Sequence, residues 1–595
     1  MKALPSVLAV ALAASACGTA NTEEDPALRG AIVYLVDTLR ADHLSCYGYE
    51  RETSPGIDAF ASTGIRFDHC LSQSTWTKPS TASVLTGLYP AQHGANKEGS
   101  SILVAVDTLA ERLVENDIKT AGFYANNWLH PKNGLNQGFE TWEFVDRDVE
   151  ARTREVVDRG LAFLDSLEDE RFFLYLHVVD PHAPYDPPPP YDKRFGADYQ
   201  GTIDGHYALE DRSLSLVDLP EEDLQHLVDL YDGEIAFTDS EFARFLAQVE
   251  ARGLSEETLV VFTADHGEEF GEHGGWRHNP QMFDEVVRVP LIVRRPGAPA
   301  GLVHDGLAQQ IDIAPTVLSA FGLPADEDLP GRDLVLRALT GDELVFGLSE
   351  VDSGGWYRKG VVAGKRKYLR AWAPTKSEQL YDLATDPDET TNLLTSDPTL
   401  ADAHRDYLDR FLSETNQGFF LLFQNGSEEL IKVEVLLFAD VDFLHTTALY
   451  TEDMAGGGEE RDWINEASEV EWRGRMRKGS RYVLRVAPGD GDGVKFVPVD
   501  EEETVLVEVR IDGEPIDGGR LLLGASGEPA GAMPYELATA DSAELESNMF
   551  PAREVFDETP YRVRLWSGRN ASGSVEFSEE EILDFKKLGY FGEEE

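Results

Sequence analysis

Two acidic residues that follow apolar strand patterns are the first candidates for chemistry in this chain. Residues 31–37, AIVYLVD, form an apolar run that ends in Asp37, and residues 258–265, TLVVFTAD, repeat the pattern and end in Asp265. His266 follows directly, so a carboxylate and an imidazole stand side by side. Such groups at the ends of buried strands predict a site for a divalent cation, and the imidazole favours zinc or manganese over calcium.

A hydroxyl nucleophile is the next candidate. In residues 74–87, STWTKPSTASVLTG, Pro79 suits the first turn of a helix and Gly87 suits its end, which puts Thr77 at the helix N-terminus. The free N–H groups and the positive dipole end there favour a tetrahedral anion. Thr77 could therefore attack phosphorus or sulfur, although an ordinary N-cap threonine has the same pattern. With the two carboxylates and the imidazole, its oxygen would complete an O,O,O,N ligand set.

Histidines and cationic residues supply candidate acids and anion contacts. Residues 177–185, HVVDPHAPY, follow the strand pattern RFFLYL, and His182 is preferred over His177 for holding a substrate oxyanion or protonating a leaving group. His278, just beyond a Gly-rich loop, is a second acid or ligand candidate. The candidate anion-binding cations are Lys78, Arg277 and the run KRK at 365–367.

An α/β fold would bring these residues together. Helical patterns around 107–115 and 150–167 alternate with strand patterns at 119–125 and 172–177. The alternation predicts a mostly parallel central sheet flanked by helices, in which functional groups collect beyond the carboxyl ends of the strands. A β-rich, sandwich-like domain is predicted after about residue 418. Its strand patterns lie at 419–423, 432–438, 481–486, 504–511 and 561–566.

The first 17 residues, MKALPSVLAVALAASAC, have the form of a signal peptide. Their end resembles a bacterial lipobox, with Ala14 where Leu is usual. We therefore expect an exported lipoprotein acylated at Cys17, at the outer membrane or cell surface, with a periplasmic or secreted protein as the alternative. The apolar stretch is too short to span a bilayer, and we expect no transmembrane helix further along.

The chain divides into a predicted signal peptide (1–17), a polar tether (18–28), a catalytic domain (29–415), a β-rich accessory domain (416–575) and a C-terminal helix or tail (576–595). The 52 basic and 109 acidic residues give a net charge of −57. Because so acidic a chain repels phosphate backbones, we expect no nucleic-acid partner, and membrane contact through the lipid anchor only. The sequence does not decide whether Cys46 and Cys70 pair.

Several motifs agree in order and spacing with one known family. They are VDTLRADHLSCYGY (36–49), TKPSTASVLTG (77–87), DPHAPY (180–185), YDGEIAFTD (231–239), TADHGEEFGEHG (263–274), FDEVVRVPLIV (283–293), IDIAPT (311–316) and LYDLATDPDETTNL (380–393). Over about residues 30–410 the chain resembles the sulfatase family of the alkaline phosphatase superfamily. The closing KKLGY (586–590) resembles the tail of many bacterial sulfatase-like proteins, whereas 418–575 lies outside the resemblance.

The chain departs from the sulfatase pattern at the site itself. Sulfatases carry Cys or Ser at the first position of C-x-P-S-R, where it is oxidised to formylglycine; here that position is Thr77, and the Arg position is Thr81. The paired Asp-Asp is Asp37-Thr38, and the later Asp-Asn is Asp265-His266. In these positions the chain resembles phosphoethanolamine transferases, lipoteichoic acid synthases and nucleotide pyrophosphatase/phosphodiesterases, which use a Thr nucleophile on a transition metal.

That resemblance implies roles for the candidate residues. The implied metal ligands are Asp37, Thr77, Asp265 and His266. The metal would lower the pKa of the Thr77 hydroxyl, and a phospho-threonine intermediate would pass to water or an acceptor alcohol. His182 and His278 would stabilise the leaving or equatorial oxygens. A second ion would use His278 with Asp180 or His182.

Three functions are compatible with these observations. The favoured one is a metal-dependent phosphoester hydrolase or phosphotransferase acting on an anionic ester, such as one on an envelope glycan or lipid headgroup. The second is a sulfatase that acts without formylglycine. The third is a binding or scaffold protein whose β-rich domain is built on an inert α/β core, which predicts no bound metal.

Overall fold

The computed structural model describes residues 27–568 apart from short stretches. The stretches left out are 97–99, 103–105, 147–150, 207–218, 279, 325–328, 342–343, 345, 354–355, 374, 376, 416–417, 426, 440–442, 450–465, 473–474, 487–490, 499–504, 524–552 and 559–560. The predicted signal peptide, most of the tether and the predicted tail at 576–595 lie outside the described residues.

An eight-stranded sheet forms the centre of the α/β region. Its strands are β1 (Gly30–Val36), β2 (Ile65–Leu71), β3 (Lys119–Tyr124), β4 (Thr141–Phe144), β5 (Phe172–Val178), β6 (Thr258–Ala264), β7 (Arg288–Arg294) and β8 (Leu302–Gln309). They lie in the order β4-β3-β5-β1-β6-β7-β2-β8. β7 runs antiparallel to both of its neighbours, and the other pairs are parallel. The sheet is therefore mixed but mostly parallel.

The composition of the two innermost strands explains their position. GAIVYLV of β1 and TLVVFTA of β6 are buried at every residue. Strands covered on both faces have continuous apolar sequences of this kind, rich in β-branched residues. β1 lies between β5 and β6, with Val36 paired to Val178 on one side and to Ala264 on the other. The residues that follow these three strands consequently meet at one edge of the sheet.

Helices cover the sheet. They are α1 (Pro55–Thr63), α2 (Thr77–Thr86), α3 (Pro90–His93), α4 (Leu109–Val114), α5 (Arg152–Ser166), α6 (Glu221–Ala251), α7 (Asp284–Val287), α8 (Ile313–Ala320), α9 (Leu334–Thr340) and α10 (Asp402–Thr415). α5 packs on β3 and β5, and the long α6 packs on α1 and α5. Within the part of the chain that the structure describes, no helix combines the length and apolar character needed to cross a bilayer.

The remaining strands form three antiparallel sheets. The first has four strands in the order β12-β11-β10-β9: β9 (Gly347–Ser353), β10 (Trp356–Ala363), β11 (Arg366–Ala373) and β12 (Ser377–Asp382). The other two have five strands each, in the orders β15-β18-β13-β22-β21 and β16-β17-β14-β19-β20. Their strands are β13 (Gly418–Asn425), β14 (Ile431–Ala439), β15 (Phe443–Leu449), β16 (Glu466–Trp472), β17 (Arg475–Val486), β18 (Gly491–Pro498), β19 (Val505–Ile511), β20 (Glu514–Leu523), β21 (Arg553–Glu558) and β22 (Tyr561–Gly568).

The predicted fold class is confirmed: a mostly parallel central sheet flanked by helices is followed by a C-terminal region of antiparallel sheets. The sequence did not predict the four-stranded sheet at 347–382. Cys46 and Cys70 are free thiols.

Candidate active site

The carboxyl ends of β1 and β6 place three functional side chains together. Asp37 follows β1, and Asp265 and His266 follow β6, its parallel neighbour. All three side chains are fully buried. Their donor atoms lie within 4.8 Å of one another. The sheet register therefore brings two residues that are 228 positions apart in sequence into one cluster.

The hydrogen bonds of this cluster leave three donor atoms pointing inward. Asp265 Oδ1 accepts from the backbone N–H groups of Thr38 at 3.1 Å and His266 at 2.8 Å. His266 Nδ1 lies 2.9 Å from the carbonyl oxygen of Gly267, which can only accept, so this nitrogen carries the proton and Nε2 keeps its lone pair. Asp37 Oδ1 and Asp265 Oδ2 are buried without a hydrogen-bond partner. These atoms fit the ligand set of a divalent cation.

The two carboxylates differ in the direction of their pKa shifts. Burial would raise the pKa of Asp37, but the nearby histidines His182, His177 and His266 hold it below its usual range. Burial and the charge of Asp37 raise the pKa of Asp265 well above its usual value. Two close carboxylates in a dry site favour a single shared negative charge, unless a cation compensates both.

Helix α2 presents Thr77 to this cluster. Thr77 is the first residue of α2, and the residue before it, Trp76, makes no side-chain hydrogen bond that caps the helix. Gly87 ends the helix in the left-handed conformation, with φ of 73°, as its position in the sequence predicted. Thr77 is 2% exposed. Its Oγ1 lies 3.5 Å from His266 Nε2.

Asn126 connects the nucleophile candidate to the carboxylates, and the sequence analysis missed it. It follows β3, and its Oδ1 accepts from the backbone N–H of Trp128 at 2.9 Å. This bond orients the amide so that Nδ2 donates to Asp37 Oδ2 at 2.5 Å and to Thr77 Oγ1 at 3.3 Å. The signal was present, because Asn126 is a polar residue just beyond the carboxyl end of a strand, like Asp37.

His177 lies closer to the cluster than its lower ranking suggested. It is fully buried, with Nδ1 3.0 Å from the hydroxyl of Tyr175. Its Nε2 lies 3.5 Å from Asp37 Oδ2 and has no hydrogen-bond partner. The geometry thus places His177, as well as His182, beside the first carboxylate.

Two further imidazoles line the same side. The ring of His278 lies 4.6 Å from that of His266 and 5.1 Å from that of His182, measured between centroids. His182 Nδ1 contacts the carbonyl oxygen of Ala183 at 2.7 Å, and His278 Nδ1 contacts Glu268 Oε1 at 3.0 Å. Both Nδ1 atoms therefore face acceptors and carry the proton, so each neutral ring has its lone pair on Nε2. Burial lowers the pKa of His182 to about 4, so it is neutral at neutral pH.

The predicted substrate-binding cations lie in different settings. Lys78 is fully buried, and its Nζ donates to the carbonyl oxygen of Ser100 at 2.8 Å. Arg277 has a positive φ of 64°; burial and the charges of His266 and Arg277 lower the pKa of His278. In the 365–367 run, Lys367 Nζ lies 2.7 Å from Asp284 Oδ1, so its charge is neutralised inside the fold.

One other prediction concerned a second ion. Across the described parts of the chain, Asp37, Asp265 and His266 form the only group of three or more His, Cys, Asp or Glu donors at metal-binding distances. His278, Asp180 and His182 form no such group. Asp180 itself is half-buried, its Oδ2 atom is buried and unpartnered, and desolvation raises its pKa.

Comparison with known proteins identifies the family that this chain resembles. Residues 31–323 match the sulfatase family model, and residues 271–417 match the model of the N-sulphoglucosamine sulphohydrolase C-terminal region. The N-acetylglucosamine-6-O-sulfatase of Bacteroides thetaiotaomicron is 26% identical over 426 residues, which cover 56% of this chain and 75% of that protein.

Solved structures share the fold. One, determined with its substrate D-glucosamine-2-N,6-O-disulfate, has a TM-score of 0.56 at 21% identity and covers 65% of this chain and 97% of its own. The phosphonate monoester hydrolase of Agrobacterium radiobacter has a TM-score of 0.54 at 21% identity, covering 65% and 95%. With the family match and the strand-end site described above, the chain belongs to the sulfatase/alkaline phosphatase superfamily and is a hydrolase of that superfamily.

Proposed function

We propose that the protein is a metal-dependent phosphoester hydrolase or phosphotransferase with Thr77 as its nucleophile. The observation that carries the proposal is the position of Thr77 Oγ1, at the N-terminus of α2 and 3.5 Å from His266 Nε2, beside two unpartnered carboxylate oxygens. A threonine here cannot become formylglycine. Its hydroxyl can act as a nucleophile directly.

The cation proposed for the site is zinc or manganese. Asp37, Asp265 and His266 would hold it, with Thr77 Oγ1 as a fourth ligand. A nitrogen ligand among three oxygens suits these metals better than calcium. When bound, such a cation would lower the pKa of the threonine hydroxyl and neutralise the non-bridging oxygens of the ester.

The surrounding side chains supply the proton transfers. Thr77 Oγ would attack phosphorus, and the neutral Nε2 of His278 or His182 would accept the threonine proton. As the bond from phosphorus to the leaving alcohol breaks, the same imidazole returns that proton to the leaving oxygen. In the second step it deprotonates the water or acceptor alcohol that attacks phosphorus, the bond from phosphorus to Thr77 Oγ1 breaks, and the imidazole returns the proton to Thr77 Oγ1. The N–H of Asn126 donates to the threonine oxygen throughout.

The proposed setting is the bacterial envelope. An exported protein acylated at Cys17 would meet esters on envelope glycans or lipid headgroups. One relative is by name an N-acetylglucosamine-6-O-sulfatase, which acts on an anionic ester of a sugar. The fold neighbour from Agrobacterium hydrolyses phosphonate monoesters, so this fold also supports attack at phosphorus.

The test combines turnover with a search for the intermediate. The mature protein and its Thr77→Ala and Thr77→Ser variants are assayed with aryl phosphate mono- and diesters and aryl sulfate, and bound metal is measured. Acid-quenched wild type is digested, and the peptide that contains Thr77 is examined by accurate mass. Phosphoester turnover with a phosphoryl group on Thr77 supports the proposal. Absence of metal and of turnover on every ester contradicts it and favours the scaffold alternative.

Sulfate-ester hydrolysis without formylglycine is the second candidate. It is favoured by the match of residues 31–323 to the sulfatase family model. In the same assays it predicts aryl sulfate turnover above phosphoester turnover. Accurate mass separates a sulfuryl from a phosphoryl group on Thr77, so one digest distinguishes the two candidates.

A further inference from the structure

An exposed tryptophan lies in the turn whose first residue contacts the proposed nucleophile. Trp128 is 37% exposed, the only aromatic side chain among the large exposed apolar residues of the described chain. It belongs to the short turn that begins with Asn126, whose amide donates to Thr77 Oγ1. Trp76, one residue before Thr77, contacts it edge to face, with ring centroids 5.2 Å apart and planes at 79°. Two indoles in mutual contact are therefore carried by the two segments that hold Thr77 and Asn126.

The two rings are fixed in place from within the protein. Lys78 Nζ lies 5.4 Å from the centroid of each ring and is held by the carbonyl oxygen of Ser100. The backbone of Trp128 is tied at both ends: its N–H donates to Asn126 Oδ1, and its carbonyl accepts from Asn133 Nδ2 at 2.7 Å. An indole that is exposed yet rigid offers contact area at little cost in conformational entropy.

We propose that Trp76 and Trp128 form a subsite that stacks a pyranose ring of the substrate alcohol. This inference rests on the proposed function, because the ring must be attached to the ester that Thr77 attacks. An aromatic face binds either a cation or a neutral ring that presents C–H groups. Here the buried ammonium of Lys78 already faces both indoles, so a second cation, such as a choline or ethanolamine headgroup, would be repelled. A neutral sugar avoids that repulsion.

The position of the subsite agrees with a sugar ester. Trp76 is adjacent in sequence to Thr77, and Trp128 is two residues from Asn126, so both indoles are carried by segments that meet at the reacting oxygen. An ester on the exocyclic carbon of a hexose places its ring a few bonds from phosphorus. The aromatic pair would then select the alcohol, while Asp37, Asp265 and His266 act on the ester itself.

Binding to the inactive Thr77→Ala protein tests the subsite apart from catalysis. Calorimetry compares glucose 6-phosphate, phosphocholine and ethyl phosphate, with the corresponding sulfates alongside. The expected Kd for the glucose ester is at least about tenfold lower than for the other two, the equivalent of one good aromatic contact. A second substitution, Trp128→Leu, should remove that preference and Trp128→Phe should keep most of it. Trp356→Leu, on β10, is the matched control.

Three results would overturn the proposal: equal affinity for the three ligands, tighter binding of phosphocholine, or a sugar preference that survives Trp128→Leu. Fluorine NMR of protein with labelled tryptophans gives an independent readout. The Trp128 resonance, assigned through Trp128→Phe, is expected to shift when the glucose ester binds. If wild type hydrolyses ethyl and glucose esters equally with and without Trp128, the subsite fails and the proposed function stands. If no ester is hydrolysed but the sugar preference is present, the proposed function fails and the subsite stands.

Discussion

Buried carboxylates differ in whether neighbouring side chains compensate their charge. Asp232 is buried, but it contacts His43 Nδ1 at 2.7 Å, Tyr49 at 2.8 Å and Arg51 at 2.8 Å, so its charge is compensated. Asp37 Oδ1 and Asp265 Oδ2 have no such partners. A buried, unpaired charge costs several kcal/mol. Residues kept in this state at the ends of two central strands are therefore better explained by cation binding than by fold stability.

Asn126 gives a prediction at this scale. Asn126→Ala removes the donor to Thr77 Oγ1 and to Asp37 Oδ2. Loss of one donor to a developing oxyanion lowers kcat about a hundredfold. The measurement is kcat at saturating metal, with Asn127→Ala, the exposed neighbour, as the control. Equal rates in the two variants would show that the amide does not act on the nucleophile.

His93 gives a second prediction, on stability. Its Nδ1 accepts from the N–H of Ala95 at 3.1 Å, its Nε2 contacts Ser83 Oγ at 3.1 Å, and burial lowers its pKa to about 3. The unfolded chain protonates this histidine below pH 6.5, while the folded chain does not. The free energy of unfolding therefore decreases as the pH is lowered from about 6.5 to about 3. From pH 8 to pH 5 the loss is about 2 kcal/mol.

The check is urea unfolding of wild type and His93→Gln at both pH values. The variant should lose about 2 kcal/mol less than wild type over this interval, whatever its absolute stability. Parallel pH dependences in the two proteins would contradict the assignment.

Residue chemistry was only partly predictable from sequence. Asp37, Asp265 and His266 were found because each follows an apolar strand, and the structure brings them together with Thr77. Asn126 was missed and His177 was ranked below His182. The function of an amide or a histidine at a strand end depends on which side chains lie opposite it, and these are not known from the sequence. Lys78 shows the converse: its charge suggested an anion contact, but its ammonium is buried between two indoles. The catalytic and metal-binding roles of all these residues remain predictions.

Among the secondary-structure elements, the innermost strands and the nucleophile helix were the most predictable. The strands predicted at 31–37 and 258–265 are β1 and β6, and the helix between Pro79 and Gly87 is α2 with two further residues at its start. The reversal of β7 was not predictable, because a buried antiparallel strand has the same apolar composition as a parallel one. Long-range pairing, such as β2 with β8, is likewise absent from local patterns.

The loop after β6 gives a prediction at the scale of elements. A Cβ at Gly267 would lie 2.0 Å from the carbonyl oxygen of Glu285, at the start of α7. Gly267→Ala therefore forces the loop away from α7 and costs about 3 kcal/mol, displacing His266 as well. Gly274→Ala, in the same loop, meets nothing within 4 Å and costs about 1 kcal/mol for its φ of +79°.

Unfolding free energy and metal content of both glycine variants are the measurements. Gly267→Ala should lose metal binding and stability together, while Gly274→Ala keeps the metal. Similar losses in the two variants would contradict the close packing of loop and helix.

At the scale of the whole molecule, the positions of the buried core clusters indicate where the chain can be divided. The core clusters of the α/β region are built from residues between Leu28 and Phe411, and Tyr407, Leu408 and Phe411 of α10 belong to the one that includes the four-stranded sheet. A chain of residues 27–415 is therefore expected to fold and to keep kcat within about twofold.

The control is a chain that ends at residue 400 and lacks α10, which leaves that core open and should unfold or aggregate. Circular dichroism and turnover distinguish the two truncations. An unfolded 27–415 chain would show that the β-rich region is required for the fold.

The net charge of −57 sets the electrostatic problem for the whole molecule. An anionic ester approaches against this field, so attraction must come from a local positive charge. Arg277, whose charge acts on His266 and His278, and the proposed cation would be the sources beside the cluster, and screening by salt should ease the approach.

Turnover of an aryl phosphodiester by wild type and Thr77→Ala, both at saturating metal, tests the central claim most directly. Loss of the nucleophile should lower kcat at least about a thousandfold. Thr77→Ser, which keeps a hydroxyl at the N-terminus of α2, should retain a substantial fraction of the rate. A Thr77→Ala protein that binds metal and keeps kcat within tenfold of wild type would contradict the assignment of Thr77 as the nucleophile.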